Sequence, residues 1–246
     1  MNSPPKYRDA AGLAQAVSAI LEPAFERIER LAAAIAASRP NAGAGWSERD
    51  LAGVRKLILD QIGTDDLYLG MGFVAAPGII DGHERYMLWW QQEHGQVSRL
   101  RPNFDRSSID VYDYVEMDWF RLAEAGHPRV TFGPYVDYSG ADRYIVTATV
   151  PVIVDGADAG VAGADLLFGA LERRLVRVLR EASSEALIVN ADRRIVAANT
   201  PRWVHGSRLH SLPEPGARLR EFTVVDVAEP PVGVGWVLAL TDADRR

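Results

Sequence analysis

The chain has 246 residues, of which 48% are hydrophobic and 24% are charged, and its formal net charge is −6. This size and composition are those of a globular protein that buries a substantial core in one large or two small domains. The negative charge disfavours non-specific nucleic-acid binding, which needs clustered Lys and Arg. No cysteine is present, which excludes disulfides, zinc–thiolate sites and thiol catalysis.

The first residues of the sequence do not have the pattern of a signal peptide. Met1–Lys6 is polar, and no apolar signal-peptide core follows it. No stretch reaches the roughly 18 uninterrupted apolar residues of a membrane span. If residue 1 is the native start, the sequence therefore predicts a cytoplasmic protein, and otherwise an extracytoplasmic one.

The N-terminal part, residues 1–62, is predicted to be helical. Ala10–Ser38 has helical apolar spacing, and Pro23 is expected to kink or divide this helix. Its apolar stripe contains Leu13, Val17, Ile20, Leu21, Phe25, Ile28, Leu31 and Ile35. Arg39–Gly45 reads as a linker. Ser47 and Asp50 have the spacing of a capping box and predict a second helix.

From Gly63 onward the pattern changes to short strands. Alternation along Arg85–Gln91 puts Met87 and Trp89 on one face and Tyr86, Leu88 and Trp90 on the other. One of the adjacent tryptophans is therefore expected to line a cavity, and Trp90 is our candidate. The other predicted strands of this part are Leu67–Val74, Gln96–Arg101, Val130–Phe132, Tyr144–Val154 and Ala159–Ala164.

Turns and helices complete the predicted order of elements. Gly133-Pro134 is expected to turn the chain and to bring Tyr135, Asp137 and Tyr138 together, whereas Asp155-Gly156 predicts a hairpin. Helices are predicted at Trp119–Ala125 and Leu166–Glu181. From Ala186 a smaller unit is predicted, with a strand–turn–strand at its start and further strands at Leu219–Val227 and Gly235–Thr241.

The stretch Tyr112–Phe120, YDYVEMDWF, interleaves aromatic rings with carboxylates. An amphipathic helix would separate them onto opposite faces. The mixture suits a small pocket, in which rings enclose a cation or apolar group and carboxylates fix a donor. The alternative interpretation is a helix end that packs its rings on a sheet.

This stretch and the residues after it resemble the ligand-binding module of double Cache domains, which are PAS-like extracytoplasmic sensors of bacterial chemoreceptors and kinases. Amino-acid-binding members carry Tyr, four residues, Arg, one residue and Trp-Tyr, followed by a later Tyr and an Asp after the last long strand. The matching residues here are Tyr112, Trp119, Phe120, Tyr135 and Asp165. Met117 stands where the family has its carboxylate-binding arginine, and a thioether cannot replace that charged, forked donor.

The resemblance implies an α+β, PAS-like Cache fold, with an antiparallel central sheet, a long N-terminal helix and a smaller PAS-like second lobe. The implied divisions are residues 1–62, a ligand-binding lobe at 63–182 and a reduced lobe at 183–246. It further implies a sensor for a cationic amine or amino-acid-related metabolite. Trp119, Tyr112, Tyr135 and Phe120 would surround the ligand, and Asp165 would accept from its ammonium, with help from Asp137 or Asp113.

Several alternatives remain open. A short-chain carboxylate could bind through backbone N–H groups and Arg143 or Arg106. The domain could instead be a ligand-free dimerisation module, in which the rings merely pack and the interface runs along Leu13–Ile35. The N-terminal helix could also simply cover its own sheet. A small enzyme could use Asp113, Glu116, Asp118 and Asp137, although no catalytic residue, metal site or cofactor is assigned. A sensor would pass its signal to a separate, unidentified partner protein.

Overall fold

The computed structural model describes residues 9–40, 46–93, 95–138, 143–210, 218–219, 222–227 and 235–241. Contacts divide the chain into a larger unit, residues 24–168, and a smaller unit, residues 1–23 with 169–246. The division at residues 62 and 182 stays a prediction. The polar start Met1–Lys6 and most of the predicted linker, residues 41–45, lie outside the described residues.

Helix α1 (Ala10–Ala37) is continuous, although it contains Pro23. The helix is therefore not divided there. Pro23 is exposed, so water can reach the backbone carbonyl that proline leaves without its helical partner. The predicted apolar stripe is buried except for Ile20, which is partly exposed, and Leu13, Phe25 and Ile35 are completely buried within the single chain. A dimer contact along this stripe finds no support.

The second predicted helix is α2 (Ala52–Gln61), but its N-cap is Leu51, which makes no side-chain capping hydrogen bond, so Ser47 and Asp50 close the turn before the helix and do not cap it. The backbone N–H and hydroxyl of Ser47 both donate to Asp50 Oδ2, at 2.8 and 2.7 Å. Leu51, Val54 and Ile58 are buried, and the helix packs against the second strand of the larger unit.

The larger unit is built on one antiparallel sheet of six strands. They are β1 (Tyr68–Ala75), β2 (Met87–Glu93), β3 (Gln96–Leu100), β4 (Val130–Asp137), β5 (Arg143–Val154) and β6 (Ala157–Leu167), in the order β3-β2-β1-β6-β5-β4. The predicted hairpin joins β5 to β6, where Asp155 and Gly156 have φ of 52° and 79°, as in a two-residue type I′ turn. Helix α3 (Asp118–Glu124) packs against β4, β5 and β6.

The predicted turn at Gly133-Pro134 is wrong. Strand β4 runs through both residues, and its register with β5 shifts between Phe132 and Tyr135. This irregularity accommodates a residue that lacks a backbone N–H, because the ladder needs no donor at the bulge. Tyr135 and Asp137 consequently share one strand, whereas Tyr138 at its end is 80% exposed.

Helix α4 (Phe168–Leu179) follows β6. The smaller unit contains an antiparallel sheet with β7 (Ala186–Val189), β8 (Ile195–Ala198), β9 (Arg218–Leu219), β10 (Phe222–Asp226) and β11 (Val237–Thr241), in the order β8-β7-β11-β10-β9. The strand–turn–strand at its start is confirmed, and Leu187, Val189 and Ile195 belong to its apolar core. The predicted α+β fold with a long N-terminal helix and a second lobe is thus confirmed.

Candidate functional site

Polar side chains interrupt one face of the larger unit's sheet. Thr147 on β5 lies directly opposite Asp165 on β6, and both are buried. The Thr147 hydroxyl donates to Asp165 Oδ1 at 2.8 Å. The hydroxyl oxygens of Tyr135 and Thr147 are also 2.8 Å apart. Because the single hydroxyl proton of Thr147 is used toward Asp165, Tyr135 donates to Thr147, and the three side chains form a connected chain.

Two aromatic residues cover this face from outside the sheet. Tyr112 lies in the irregular segment before α3, and its backbone N–H donates to the Asn103 carbonyl at 2.7 Å. Trp119 lies in the first turn of α3, where its carbonyl accepts from the Thr149 hydroxyl at 3.1 Å. Both rings are buried. Backbone hydrogen bonds therefore fix the places from which these two rings reach the sheet.

All six strands of the sheet, with this cover, contribute to a small cavity. It is lined by Val74, Met87, Trp89, Leu100, Tyr112, Trp119, Tyr135, Asp137, Thr147 and Asp165. Its volume is about 10 Å³, which is room for about one water molecule. The lining combines four aromatic side chains with two carboxylates, and none of these residues is basic.

The electrostatics of the cavity are dominated by its acids. Burial, together with the nearby charge of Asp137, raises the pKa of Asp165 to about 7, against a smaller opposite effect of the Thr147 hydrogen bond. Burial also raises the pKa of Tyr112 and of Tyr135 well above the ordinary value, and the charge of Asp165 adds to both shifts. The site therefore disfavours negative charge and would be stabilised by a cation.

Of the residues named from the sequence, Tyr112, Trp119, Tyr135, Asp137 and Asp165 come together on this cavity. Phe120 does not line it: its ring packs at 5.2 Å from that of Tyr114 and at 6.0 Å from that of Trp119. The alternative interpretation, a helix end that packs its rings, therefore applies to Phe120.

Met117 and Trp90 also lie away from the cavity. Met117 is the residue before α3 and packs, partly buried, against the apolar cluster around the site. Trp90 faces the opposite side of the sheet, where the Arg55 guanidinium lies 5.0 Å from its ring centroid. The placement of Trp90 on the cavity is therefore wrong, because the alternation of β2 puts Trp89 there.

Trp89 and Thr147 are the aromatic and polar cavity residues that the sequence did not single out. Glycines make room for the indole: a β-carbon at Gly70 would lie 2.6 Å from Trp89 Nε1, and one at Gly163 would lie 3.4 Å from its Cη2. Within the described part of the chain, the buried indole N–H of Trp89 has no hydrogen-bond partner. Glycines opposite a tryptophan in neighbouring strands were the available signal.

The acids proposed for catalysis do not converge. Asp113 pairs with Arg85 at 3.1 Å, Glu116 pairs with Arg121, and Asp118 is exposed. In the ranges that the structure describes, no group of acidic and histidine side chains is placed to hold a metal ion. No helix among the described residues has the length and apolarity needed to cross a membrane.

An antiparallel sheet with a covered cavity on one face is the architecture that the resemblance to Cache domains implied. Residues 54–173 match the model of a family described as the first PDC sensor domain of methyl-accepting chemotaxis protein-like proteins. The resemblance to Cache sensor domains is confirmed by this match. No curated protein sequence matches the chain.

Solved structures of chemoreceptor domains share the fold. The ligand-binding domain of a Campylobacter jejuni chemoreceptor in complex with L-valine has a TM-score of 0.60 at 14% identity, over 96% of this chain and 91% of that one. The Pseudomonas aeruginosa amino-acid chemoreceptor PctC in complex with GABA has a TM-score of 0.55 at 19% identity, over 95% and 97%. The Pseudomonas fluorescens chemoreceptor CtaA in complex with L-isoleucine has 0.59 at 19%, over 96% and 90%.

Several predictions from the sequence stay predictions after these comparisons. The family is one of receptor sensor domains, so the predicted cytoplasmic location finds no support. The dimer, the separate partner protein and the lack of enzymatic activity stay predictions. The family match is to a sensor domain.

Proposed function

We propose that the larger unit is a small-molecule sensor domain whose cavity binds a cationic amine or an amino-acid-related metabolite through its ammonium group. The observation that carries the proposal is the lining itself: four aromatic side chains and two buried acids, with no basic residue among them. Asp165 accepts from the neutral Thr147 hydroxyl, and a buried carboxylate is further stabilised by a cation. An ammonium supplies that charge, and each ring face adds about 0.5–2 kcal/mol of cation–π attraction.

The solved relatives support the same class of ligand. The molecules bound in them, L-valine, L-isoleucine and GABA, are all amino acids. In GABA the carboxylate is separated from the ammonium by the carbon chain, so an α-carboxylate clamp is not needed to hold its cationic end. The buried indole N–H of Trp89 would donate to an acceptor at the far end of such a ligand.

Ligand entry requires the cover to move, because the present void holds only about one water molecule. The cover includes residues 101–117, which contain no strand. Its anchoring contacts include a hydrogen bond from the Tyr114 hydroxyl to the Ala75 carbonyl at 2.7 Å and the ion pair of Arg85 with Asp113. An opening of this segment would expose Tyr112 while leaving the sheet that carries Asp165 intact.

Three four-carbon probes test the proposal. Butylamine carries only the ammonium, butyrate carries only the carboxylate, and GABA carries both. We expect butylamine and GABA to raise the melting temperature saturably and butyrate to leave it unchanged, since the cavity would place a second anion beside Asp165. Stabilisation by butyrate alone would favour the carboxylate-binding alternative, and no shift with any probe would favour a ligand-free module.

The carboxylate alternative has little geometric support in the larger unit. Arg106 is exposed and lies 3.5 Å from Glu84, and Arg143 is exposed at the start of β5. Neither side chain lines the cavity. A buried acid with a raised pKa is also a general-acid candidate, but the four acids proposed for an enzyme are dispersed.

Replacing Met117 by arginine is expected to change the ligand preference. An arginine at this position would supply the forked donor that binds a carboxylate, so L-valine should gain roughly tenfold in affinity over isobutylamine, its decarboxylated counterpart. Thermal-shift titrations of the two compounds measure this ratio. Met117→Leu conserves the apolar volume and serves as the control. An unchanged ratio in Met117→Arg would show that an arginine at position 117 does not reach the ligand's acidic end.

A further inference from the structure

A second cavity of the larger unit lies on the other face of the sheet, between α2 and strands β2 and β3. Its volume is about 260 Å³, and it is lined by Glu48, Leu51, Ala52, Arg55, Leu88, Trp90, Arg99 and Arg101. We call it the α2 groove. It shares no lining residue with the cavity around Asp165, and the adjacent residues Trp89 and Trp90 point to different cavities.

The α2 groove carries an excess of positive charge. Its three arginines face one acid, Glu48, whose Oε1 lies 2.5 Å from Arg99 Nη1. This pair lowers the pKa of Glu48, mainly through the hydrogen bond from Arg99. Arg55 lies over the Trp90 ring at 5.0 Å, and Arg101 is exposed. After the Glu48–Arg99 pair is counted, two guanidinium charges remain in the groove.

Two buried donors of the groove also lack an acceptor. Arg99 Nε and Trp90 Nε1 are buried, and neither has a hydrogen-bond partner within the described part of the chain. Both groups can only donate. A buried donor without an acceptor is uncommon and costly. A ligand with negatively charged acceptor oxygens would accept from these two donors and would also balance the positive charge of the arginines.

The floor of the groove is apolar. Leu51 and Leu88 are buried, and Trp90 adds aromatic surface beside them. We infer that the α2 groove binds a small organic anion, with a carboxylate at the arginines and the Trp90 N–H, and an apolar body against Leu51 and Leu88. This inference does not depend on the function proposed for the cavity around Asp165.

Benzoate is a suitable probe, because it joins a carboxylate to a flat apolar body. In a titration followed by ¹H–¹⁵N spectra, we expect the indole N–H signal of Trp90, assigned with Trp90→Phe, to shift saturably. Benzamide, the uncharged counterpart, should cause no saturable shift. Arg55→Gln and Arg101→Gln should each weaken benzoate binding by up to about fivefold, as expected for the loss of an exposed charge.

Arg106→Gln is the matched control, because it removes an exposed arginine outside the groove and should leave benzoate affinity unchanged. The inference is overturned if the Trp90 signal does not shift saturably, if benzamide binds equally well, or if neither groove variant weakens binding. A benzoate response at Trp89 with none at Trp90 would also overturn it. Binding of butylamine is independent of all these outcomes, so a failure here leaves the function proposed for the other cavity untouched.

Discussion

Asp165→Asn is expected to weaken butylamine and GABA binding by at least about tenfold and to stabilise the unliganded protein at pH 8. The carboxylate is the buried acceptor proposed for the ammonium, and asparagine keeps the shape and the Thr147 hydrogen bond but carries no charge. Calorimetric titration measures the first effect. Urea unfolding at several pH values measures the second.

The sign of the pH effect follows from the raised pKa of Asp165. Between its ordinary pKa of 3.8 and about 7, the folded protein retains a proton that the unfolded chain has released. The free energy of unfolding of the wild type should therefore fall as the pH rises through this window. Asp165→Asn should remove that decline. Amine affinity should change in the opposite direction, because the charged carboxylate that forms at higher pH attracts the ammonium.

Asp158→Asn is the control for this prediction. Asp158 lies on the same strand and burial raises its pKa as well, but it does not line the cavity. It should leave amine affinity unchanged. Equal affinities of wild type and Asp165→Asn would remove Asp165 from the proposed site.

Gly72→Ala is expected to destabilise the larger unit's sheet strongly. A β-carbon at Gly72 would lie 2.1 Å from the Leu88 carbonyl oxygen and 2.8 Å from the Trp89 Cα. Both are backbone atoms of the strand that pairs with Gly72, so they can move only if the ladder between β1 and β2 is disturbed. We expect a loss of about 3 kcal/mol or more in the free energy of unfolding, measured with urea.

Gly53→Ala is the matched control, since it makes the same chemical change in helix α2, where a β-carbon would have no neighbour within 4 Å. It should stabilise the protein by about 0.5–1 kcal/mol, because glycine in a helix costs that much relative to alanine. If Gly72→Ala were as well tolerated as Gly53→Ala, the close approach of β1 and β2 that positions Trp89 would be incorrect.

Much of the larger unit could be predicted from local patterns. Helical spacing identified α1 and α2, alternation separated Trp89 from Trp90, and Asp155-Gly156 gave the hairpin between β5 and β6. The turn predicted at Gly133-Pro134 failed because a proline at a strand irregularity and a proline in a turn have the same local signature. Only the pairing of β4 with β5 distinguishes them, and that pairing depends on residues distant in sequence.

The candidate site was predictable where a family pattern or a strand position specified a residue. Tyr112, Trp119, Tyr135, Asp137 and Asp165 come together as expected. Trp89 and Thr147 could not be chosen, because their role depends on the strand order that sets β1 between β2 and β6, and on the Thr147–Asp165 register. Phe120 follows Trp119 directly on a helix, so its side chain points in another direction and packs on Tyr114.

The central claim is that rings and buried acids hold a cation on one face of the sheet. A crystal structure of the butylamine complex tests it most directly. We predict that the ammonium nitrogen lies about 3 Å from a carboxylate oxygen of Asp165, with Tyr112 and Trp119 against the ligand and the cover displaced. A butylamine molecule bound elsewhere, with the cavity around Asp165 unchanged, would contradict the account.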